Sequence, residues 1–256
     1  MNRLLLPLFC FSFLFSNAQE TICFGDVTKE TNVARYVVTN AVCQDDVIKA
    51  KVRVTNLTDN AIVIKPEECF FTTPKGNSFD KGRWFIVGAH EEKAEVIAAK
   101  GDGIKCKEAT LNINGVYSCI DTTTTTVQPM KLEPQKEIRV GNFLLELDGY
   151  DKDKTEIAFK YKVTYVGNKV GTVRPGKASL KSASGKEFKN FKEVQKVLNF
   201  KKGDDFLVGF LFYVENKKED ETLYFNDMLT ESDPVKTTSA TVDLKIDETL
   251  TKEKNK

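Results

Sequence analysis

The chain has 256 residues, 41% of them hydrophobic, and its 38 Lys and Arg residues nearly balance its 37 Asp and Glu residues. The formal net charge of +1 provides no global attraction to nucleic acid or to an anionic membrane. The single histidine, His90, leaves catalytic triads and multi-histidine metal sites excluded or reduced to unusual variants.

The N-terminal segment predicts export. Arg3 precedes an apolar run from Leu4 to Phe15, and small residues follow at Ser16 and Ala18, which is the pattern of a secretory signal peptide. The apolar run is too short to span a bilayer, and no second candidate membrane segment follows it. We therefore expect a signal peptide over residues 1–18, cleavage after Ala18, and a secreted or periplasmic protein without a transmembrane segment.

Five cysteines would remain after cleavage, and none has the C-x-x-C spacing of zinc or redox sites: Cys23, Cys43, Cys69, Cys106 and Cys119. In an oxidising compartment they indicate two disulfides and one free thiol. The sequence does not determine which cysteines pair. Cys106 and Cys119 are the candidate pair, because the hairpin signal Asn114-Gly115 lies between them.

Alternation of apolar and polar residues with period two dominates the chain. Residues 46–55, 156–166 and 241–247 each have this pattern, which predicts half-buried strands with one face in water. Residues typical of turns separate these runs. Short strands at this spacing predict an all-β fold of antiparallel sandwiches.

A weak internal repeat relates a segment of the first half of the chain to a segment of the second half. Each contains a strand, a Val-x-Asn sequence (Val54–Asn56 and Val214–Asn216), a polar turn and a second strand. On these hairpins the chain resembles the immunoglobulin-like domains of secreted bacterial proteins. We therefore expect two immunoglobulin-like antiparallel β-sandwich domains, residues 19–155 with the disulfides and residues 156–247, followed by a disordered tail at 248–256.

Two segments also have helical patterns. Residues 90–101 are rich in helix formers, and residues 182–203 place apolar side chains at helical spacing after a capping box. If the second helix forms, its outer face is a basic stripe that would attract acidic glycans, lipid headgroups or an acidic protein. The candidate polyanion-binding residues are Lys186, Lys189, Lys192 and Lys196. The alternative is a solvated face that keeps the protein soluble.

Three further motifs indicate local features. Asn56-Leu57-Thr58 matches the N-glycosylation sequon on a predicted turn. The segment Gly171–Ser179 resembles a phosphate-binding loop, but Ala178 replaces the hydroxyl residue and Pro175 removes an amide donor, so we interpret it as a turn. The acidic segment 148–153 is interpreted as a solvated turn, with a calcium-binding loop as the alternative.

These features predict an exported, non-catalytic binding or structural module of the cell envelope or extracellular space, with no cofactor and no metal. Its partner would be an envelope or extracellular protein or a glycan, and not nucleic acid. The alternative is a carboxylate-dependent polysaccharide hydrolase, because such enzymes need two carboxylates and no histidine. A cleft lined with two facing carboxylates and exposed aromatic side chains would favour the enzyme, and featureless sheet faces with a flat apolar patch would favour the binding module.

Overall fold

The structure is a computed structural model that describes residues 20–120, 123–124, 129–131, 135–153, 155–192, 196–214, 221–225 and 227–256. These residues contain 25 β-strands in six sheets, with antiparallel pairing throughout, and one α-helix. The prediction of an all-β fold is confirmed. The predicted signal peptide, residues 1–18, lies outside the described residues.

The strands of the first part of the chain are β1 (Ile22–Cys23), β2 (Val27–Glu30), β3 (Ala34–Cys43), β4 (Val47–Asn56), β5 (Ile62–Ile64), β6 (Cys69–Thr73), β7 (Gly76–Phe79), β8 (Phe85–Val87), β9 (Glu92–Lys100), β10 (Glu108–Ile113), β11 (Val116–Cys119), β12 (Thr123–Thr124) and β13 (Met130–Lys131). The later elements are β14 (Glu137–Val140), β15 (Phe143–Lys152), β16 (Glu156–Tyr165), β17 (Val170–Val173), β18 (Ala178–Ser182), β19 (Glu187–Lys189), β20 (Leu198–Phe200), β21 (Asp205–Tyr213), β22 (Glu221–Phe225), β23 (Leu229–Ser232), β24 (Pro234–Lys236), β25 (Ala240–Lys245) and the helix α1 (Glu248–Lys254).

The alternating segments form the central strands, because each can bury one face and leave the other in water. In β4, Ile48, Ala50 and Val52 are buried while the intervening lysines are exposed. The strand β16 has the same pattern, with Phe159 and Tyr161 buried. Each fully buried apolar side chain contributes about 1.5–3 kcal/mol to the free energy of unfolding, so these two strands supply much of both cores.

The chain contains two copies of one succession of strands. A ten-residue strand, β4 in the first copy and β16 in the second, is followed by a short strand, a 3-10 turn (Pro66–Glu68 and Pro175–Lys177) and two further strands. The predicted repeat matched Val54–Asn56 with Val214–Asn216, of which residues 215–216 lie outside the described residues. The segments are not equivalent in the structure, because Val54–Asn56 ends β4 whereas Val214 follows β21. The strand β21 is the last strand of its sheet and corresponds to β9.

The sheets of the two copies correspond in pairs. The sheet β1-β3-β4-β9, with β2 beside β3, matches β14-β15-β16-β21. The sheet β25-β10-β6-β7 matches β13-β22-β18-β19, and β24-β11-β5-β8 matches β12-β23-β17-β20. We call the strands β1 to β11 with β24 and β25 the first repeat, and β12 to β23 the second repeat.

The two repeats exchange strands. β12 and β13 follow β11 in the chain but pair with β23 and β22 of the second repeat. Conversely, β24 and β25 follow β23 but pair with β11 and β10 of the first repeat. β12 and β13 thus end the first succession of strands but complete the second repeat, and β24 and β25 end the second succession but complete the first repeat. The predicted domain boundary, between residues 155 and 156, lies between β15 and β16, which pair with each other.

Each repeat has its own hydrophobic core. The first core extends from Ile22 to Val116 and includes three residues of the exchanged strand β25, and the second extends from Ile138 to Leu229. A small third cluster contains Val63 and Cys119 of the first repeat and Val170 of the second. This cluster provides apolar contact between the two repeats.

Both predicted helices are wrong. Residues 92–100 form β9, which pairs with β4 from Val47 to Thr55, and this pairing overrides the helix propensity of the segment. Within residues 182–203, a turn with Gly185 at φ +87° leads into β19, and β20 follows. Val194 of the helical pattern lies outside the described residues.

The predicted disordered tail is also wrong, because residues 248–254 form α1. The carboxylate of Asp247 accepts a hydrogen bond from the Leu250 amide and caps this helix. Asn255 donates from its side-chain amide to the Thr21 carbonyl (2.8 Å), so the residues after α1 are bound to the segment that precedes β1.

The dipeptide Asn114-Gly115 does not form the predicted hairpin. It joins β10 to β11, which lie in different sheets, and the Lys65 amide donates to the Gly115 carbonyl at 2.8 Å. A Cβ atom at position 115 would overlap the Lys65 carbonyl oxygen. Glycine is therefore required here by the close approach of two backbone segments rather than by a hairpin turn.

Candidate binding cleft between the repeats

A cleft of about 580 Å³ lies where the two repeats meet. Its walls include β8, through Phe85 and Ile86, and β20, through Leu198 and Asn199. In the described part of the chain, each of these strands is the last strand of its sheet. The cleft is thus bordered by equivalent sheet edges from both repeats.

Apolar side chains provide part of the cleft surface. Phe206 is 41% exposed and Val197 is 39% exposed, although both are large hydrophobic residues. The ring of Phe206 packs edge-on against Phe200 at 4.9 Å between centroids, which holds it in place. Exposed apolar groups in a concave surface are typical of binding sites rather than of ordinary solvent-facing surface.

Charged groups of both signs line the same cleft: Glu91, Lys93, Lys201, Asp204 and Asp205. Several of these charged side chains make hydrogen bonds, ion pairs or ring contacts with neighbouring residues. The carboxylate of Asp204 accepts a hydrogen bond from the Lys201 amide (3.0 Å), and Asp205 pairs with Lys162 (3.4 Å). The Lys93 ammonium lies 5.5 Å from the centre of the Phe85 ring. This mixture favours a ligand that carries both charges over a polyanion.

Asn56 supports one wall of the cleft. It is 1% exposed, and its amide nitrogen donates to the carbonyls of Asn60 (2.7 Å) and Gly88 (2.9 Å). A glycan would replace one of the two hydrogens of this nitrogen and would have to occupy a buried position, so the predicted glycosylation of Asn56 is incompatible with the folded chain. The equivalent position in the second repeat is Tyr165, the last residue of β16 as Asn56 is the last residue of β4. The Tyr165 hydroxyl donates to the Glu231 carboxylate at 2.6 Å.

The four predicted polyanion-binding lysines do not share a helix face. Lys186 precedes β19, with its ammonium 5.6 Å from the centre of the Phe188 ring, and Lys189 ends that strand. The aliphatic part of Lys192 lies over Gly209, in a separate pocket of about 290 Å³. Lys196 is exposed and lies in the segment before β20. The basic stripe depended on a helix that does not form.

The predicted cysteine pair is not brought together. Cys106 belongs to the first core, and its sulfur lies 3.7 Å from that of Cys43. Cys119 belongs to the cluster that links the repeats. No disulfide is formed among the five described cysteines, all of which are buried.

A polar cluster fastens the exchanged strand β24 to the first repeat. The Glu68 carboxylate accepts hydrogen bonds from the Tyr117 hydroxyl (2.5 Å) and the Lys236 ammonium (2.9 Å). Burial alone would raise the pKa of Glu68, but these two donors outweigh it and leave the pKa lowered. The hydrogen bond to Glu68 in turn raises the pKa of Tyr117 to about 12.

The acidic segment 148–153 was interpreted as a solvated turn, but residues 148–152 belong to β15. The other predicted features occupy ordinary structural positions. Pro175 begins a 3-10 turn between β17 and β18, as the interpretation of this segment as a turn expects. His90 is exposed, with a ring nitrogen 2.8 Å from Asp59. Among the described residues, no group of His, Cys, Asp and Glu side chains could hold a metal ion, and no helix is long and apolar enough to cross a membrane.

Comparisons with known proteins identify no family. No protein-family model matches the chain, and no curated protein matches it. Solved structures with weak similarity include two mutants of oxalate decarboxylase from Bacillus subtilis. Their TM-scores are 0.16, they are 11% and 12% identical, and each alignment covers 88% of this chain and 79% of the other. These TM-scores are too low to relate the chains.

Proposed function

We propose that this protein is an exported, non-catalytic binding module of two immunoglobulin-like sandwiches that holds an extended polypeptide segment in the cleft between its repeats. The observation that carries this proposal is the position of β8 and β20, two sheet-edge strands that line one cleft. An extended peptide binds such an edge by adding a strand, with main-chain hydrogen bonds for affinity and side-chain pockets for specificity.

The chemistry of the cleft is consistent with a polypeptide ligand. Phe206 and Val197 offer apolar contact, whereas Lys201 and Asp204 provide charges of opposite sign. A polypeptide carries apolar, cationic and anionic side chains, so it can complement all of these groups. An acidic glycan would meet three carboxylates in the same cleft, which like-charge repulsion disfavours.

Export is the second part of the proposal. The signal-like pattern of residues 1–18 supports it, and so does the way in which the following residues join the fold. Glu20 pairs with Lys105 at 2.7 Å, and the Thr21 amide donates to Asn255 at 2.8 Å. Cleavage after Ala18 would leave these contacts intact.

The test is a selection of random peptides on the exported, immobilised protein, followed by calorimetry with the retained peptides. Phe206→Asp places a charge on the apolar surface of the cleft, and we expect it to weaken binding at least tenfold. Leu207→Asp is the matched control, because Leu207 is the next residue, is 54% exposed and does not line the cleft. Retention of no peptide, or equal weakening by both substitutions, would overturn the proposal.

The alternative function is a carboxylate-dependent polysaccharide hydrolase, favoured by one specific observation. Glu91 immediately precedes β9, Asp204 immediately precedes the corresponding strand β21, and both residues line the cleft. A pair of carboxylates in one cleft is what glycosidases use. The test is an assay for the release of reducing ends from a panel of polysaccharides. Release that Glu91→Gln and Asp204→Asn each abolish would favour the hydrolase over the binding module.

A further inference from the structure

Two cysteines of the first repeat are in direct contact, although they are far apart in the chain. The sulfurs of Cys43 and Cys106 are separated by 3.7 Å, and the two residues are 0% and 9% exposed. Cys43 is the last residue of β3, and Cys106 lies in the segment that joins β9 to β10. We propose that Cys43 and Cys106 form the disulfide bond of the exported protein.

Several non-covalent contacts bring the Cys106 segment to the end of β3. The Ile104 amide donates to the Asp45 carbonyl at 2.8 Å, and the Cys43 thiol lies 3.5 Å from the Ile104 carbonyl. The Lys105 ammonium lies 2.7 Å from Glu20 and 3.7 Å from Asp45. Folding of this segment therefore places the two sulfurs together before any covalent bond exists.

The oxidant is a disulfide, such as oxidised glutathione or the active-site disulfide of an exchange catalyst. The thiolate of one cysteine attacks this disulfide, forms a mixed disulfide and releases one thiol. The thiolate of the other cysteine then attacks the mixed disulfide, forms the Cys43–Cys106 bond and releases the second thiol. The protein loses two electrons and two protons, and the oxidant gains them.

The environment of the pair determines when this reaction occurs. Burial raises the pKa of both thiols, that of Cys106 to about 12, so the folded reduced protein contains very little reactive thiolate. Exchange is consequently fast while the chain is still folding and the two thiols are accessible, and slow once they are buried. The same burial protects the finished bond from reductants. The bond rests on the export that the proposed function includes but not on what the cleft binds, so failure of the disulfide and failure of peptide binding are distinguishable.

The experiment uses the full chain exported to a bacterial periplasm. Free thiols are alkylated in denaturant with N-ethylmaleimide at mildly acidic pH, where disulfide exchange is slow, and the chain is digested without reductant and mapped by mass spectrometry. We expect a linked pair of peptides that contain Cys43 and Cys106, two hydrogen masses lighter than the separate thiol peptides, and an alkylated Cys119. Alkylation of both Cys43 and Cys106, or a link from Cys106 to Cys119, would overturn the proposal.

Serine variants distinguish the contribution of the disulfide bond to stability from that of the packing of the two sulfur atoms. Cys43→Ser, Cys106→Ser and the double variant should each lower Tm by roughly 8–16 °C, without additivity. Added reductant should lower the Tm of the denatured and refolded wild type but not that of the double variant. Cys119→Ser is the control and should keep both the link and the sensitivity to reductant. Equal sensitivity in the double variant would contradict the assignment. Peptide mapping of the wild type decides the question even if a variant does not fold.

Discussion

At the scale of single residues, Glu68 shows how one carboxylate supports the exchange of strands. It lies in the 3-10 turn before β6 and contacts Tyr117 of β11 and Lys236 of β24. Lys65 adds a third partner, 3.7 Å from the carboxylate and 4.2 Å from the centre of the Tyr117 ring. An ionised Glu68 thus fastens a strand from the end of the chain to the first repeat.

Glu68→Gln should make the protein less stable by about 1–2 kcal/mol at neutral pH, because a charged acceptor of two hydrogen bonds is lost. The pKa of Glu68 is lowered in the folded state, so its contribution is complete above the ordinary value of 4.5 and is lost as the pH falls through the folded value. The difference between wild type and variant should therefore shrink below pH 4.5, as measured by urea unfolding.

The same comparison of wild type with Glu68→Gln, made at alkaline pH, tests the contribution of Tyr117 to stability. Its pKa is raised to about 12 from 10, so the stability it contributes is present below pH 10 and lost between pH 10 and 12. Glu67→Gln is the control, since Glu67 is the adjacent exposed carboxylate, and it should change the stability by no more than about 0.5 kcal/mol. Identical pH profiles for wild type and Glu68→Gln would contradict this account.

At the scale of elements, the outer strands β9 and β21 are covered in the same way. Asp80 accepts hydrogen bonds from the amides of Gly82 (2.9 Å) and Ala98 of β9 (3.2 Å). Asn190 accepts from the amides of Lys192 (3.1 Å) and Leu211 of β21 (2.9 Å). In both repeats, a buried side chain joins a crossing segment to a sheet edge, which protects that edge from pairing with other chains.

Asn190→Ala should destabilise the protein by about 1–3 kcal/mol, because buried backbone groups lose their partners. The Asn190 amide nitrogen also donates to the Pro175 carbonyl at 3.0 Å, so the substitution loosens the turn before β18 as well. Asn168→Ala is the matched control, since Asn168 is exposed and should change the stability by about 0.5 kcal/mol or less. Urea unfolding measures both variants, and equal effects would rule out this role for Asn190.

The sequence predicts elements well where the pattern of burial is local. The alternation in β4, β16 and β25 is visible from the residues alone, and these strands lie where the alternation places them. Residues 90–101 and 182–203 were misassigned because their strands depend on partners far away in the chain, such as β4 for β9. The cleft was not predicted for the same reason, since its two walls come from different repeats.

At the scale of the whole molecule, the second repeat is continuous in the chain, from β12 to β23, whereas the first repeat is completed only by β24 and β25, which follow the second. Only Asp233 separates β23 of the second repeat from β24 of the first, so the chain crosses between repeats over a very short distance. Cys119 at the end of β11 pairs with Pro234 at the start of β24. A direct connection from β11 to β24 would therefore be a simple hairpin, which the natural chain does not make.

This geometry predicts how the chain can be divided. Residues 20–119 alone lack β24 and β25, so β10 and β11 each lose one of their two partner strands, and the first core loses Ala240, Val242 and Leu244. We expect this fragment to be unfolded or aggregated. The same residues joined by a short Gly-rich turn to residues 234–256 contain every strand of the first repeat, because Cys119 and Pro234 already face each other. That chain should unfold cooperatively in urea as a monomer, as followed by circular dichroism and size-exclusion chromatography. A folded 20–119 fragment would show that β24 and β25 are not needed for the first core. An unfolded joined chain would show that the first repeat needs the second repeat in order to fold.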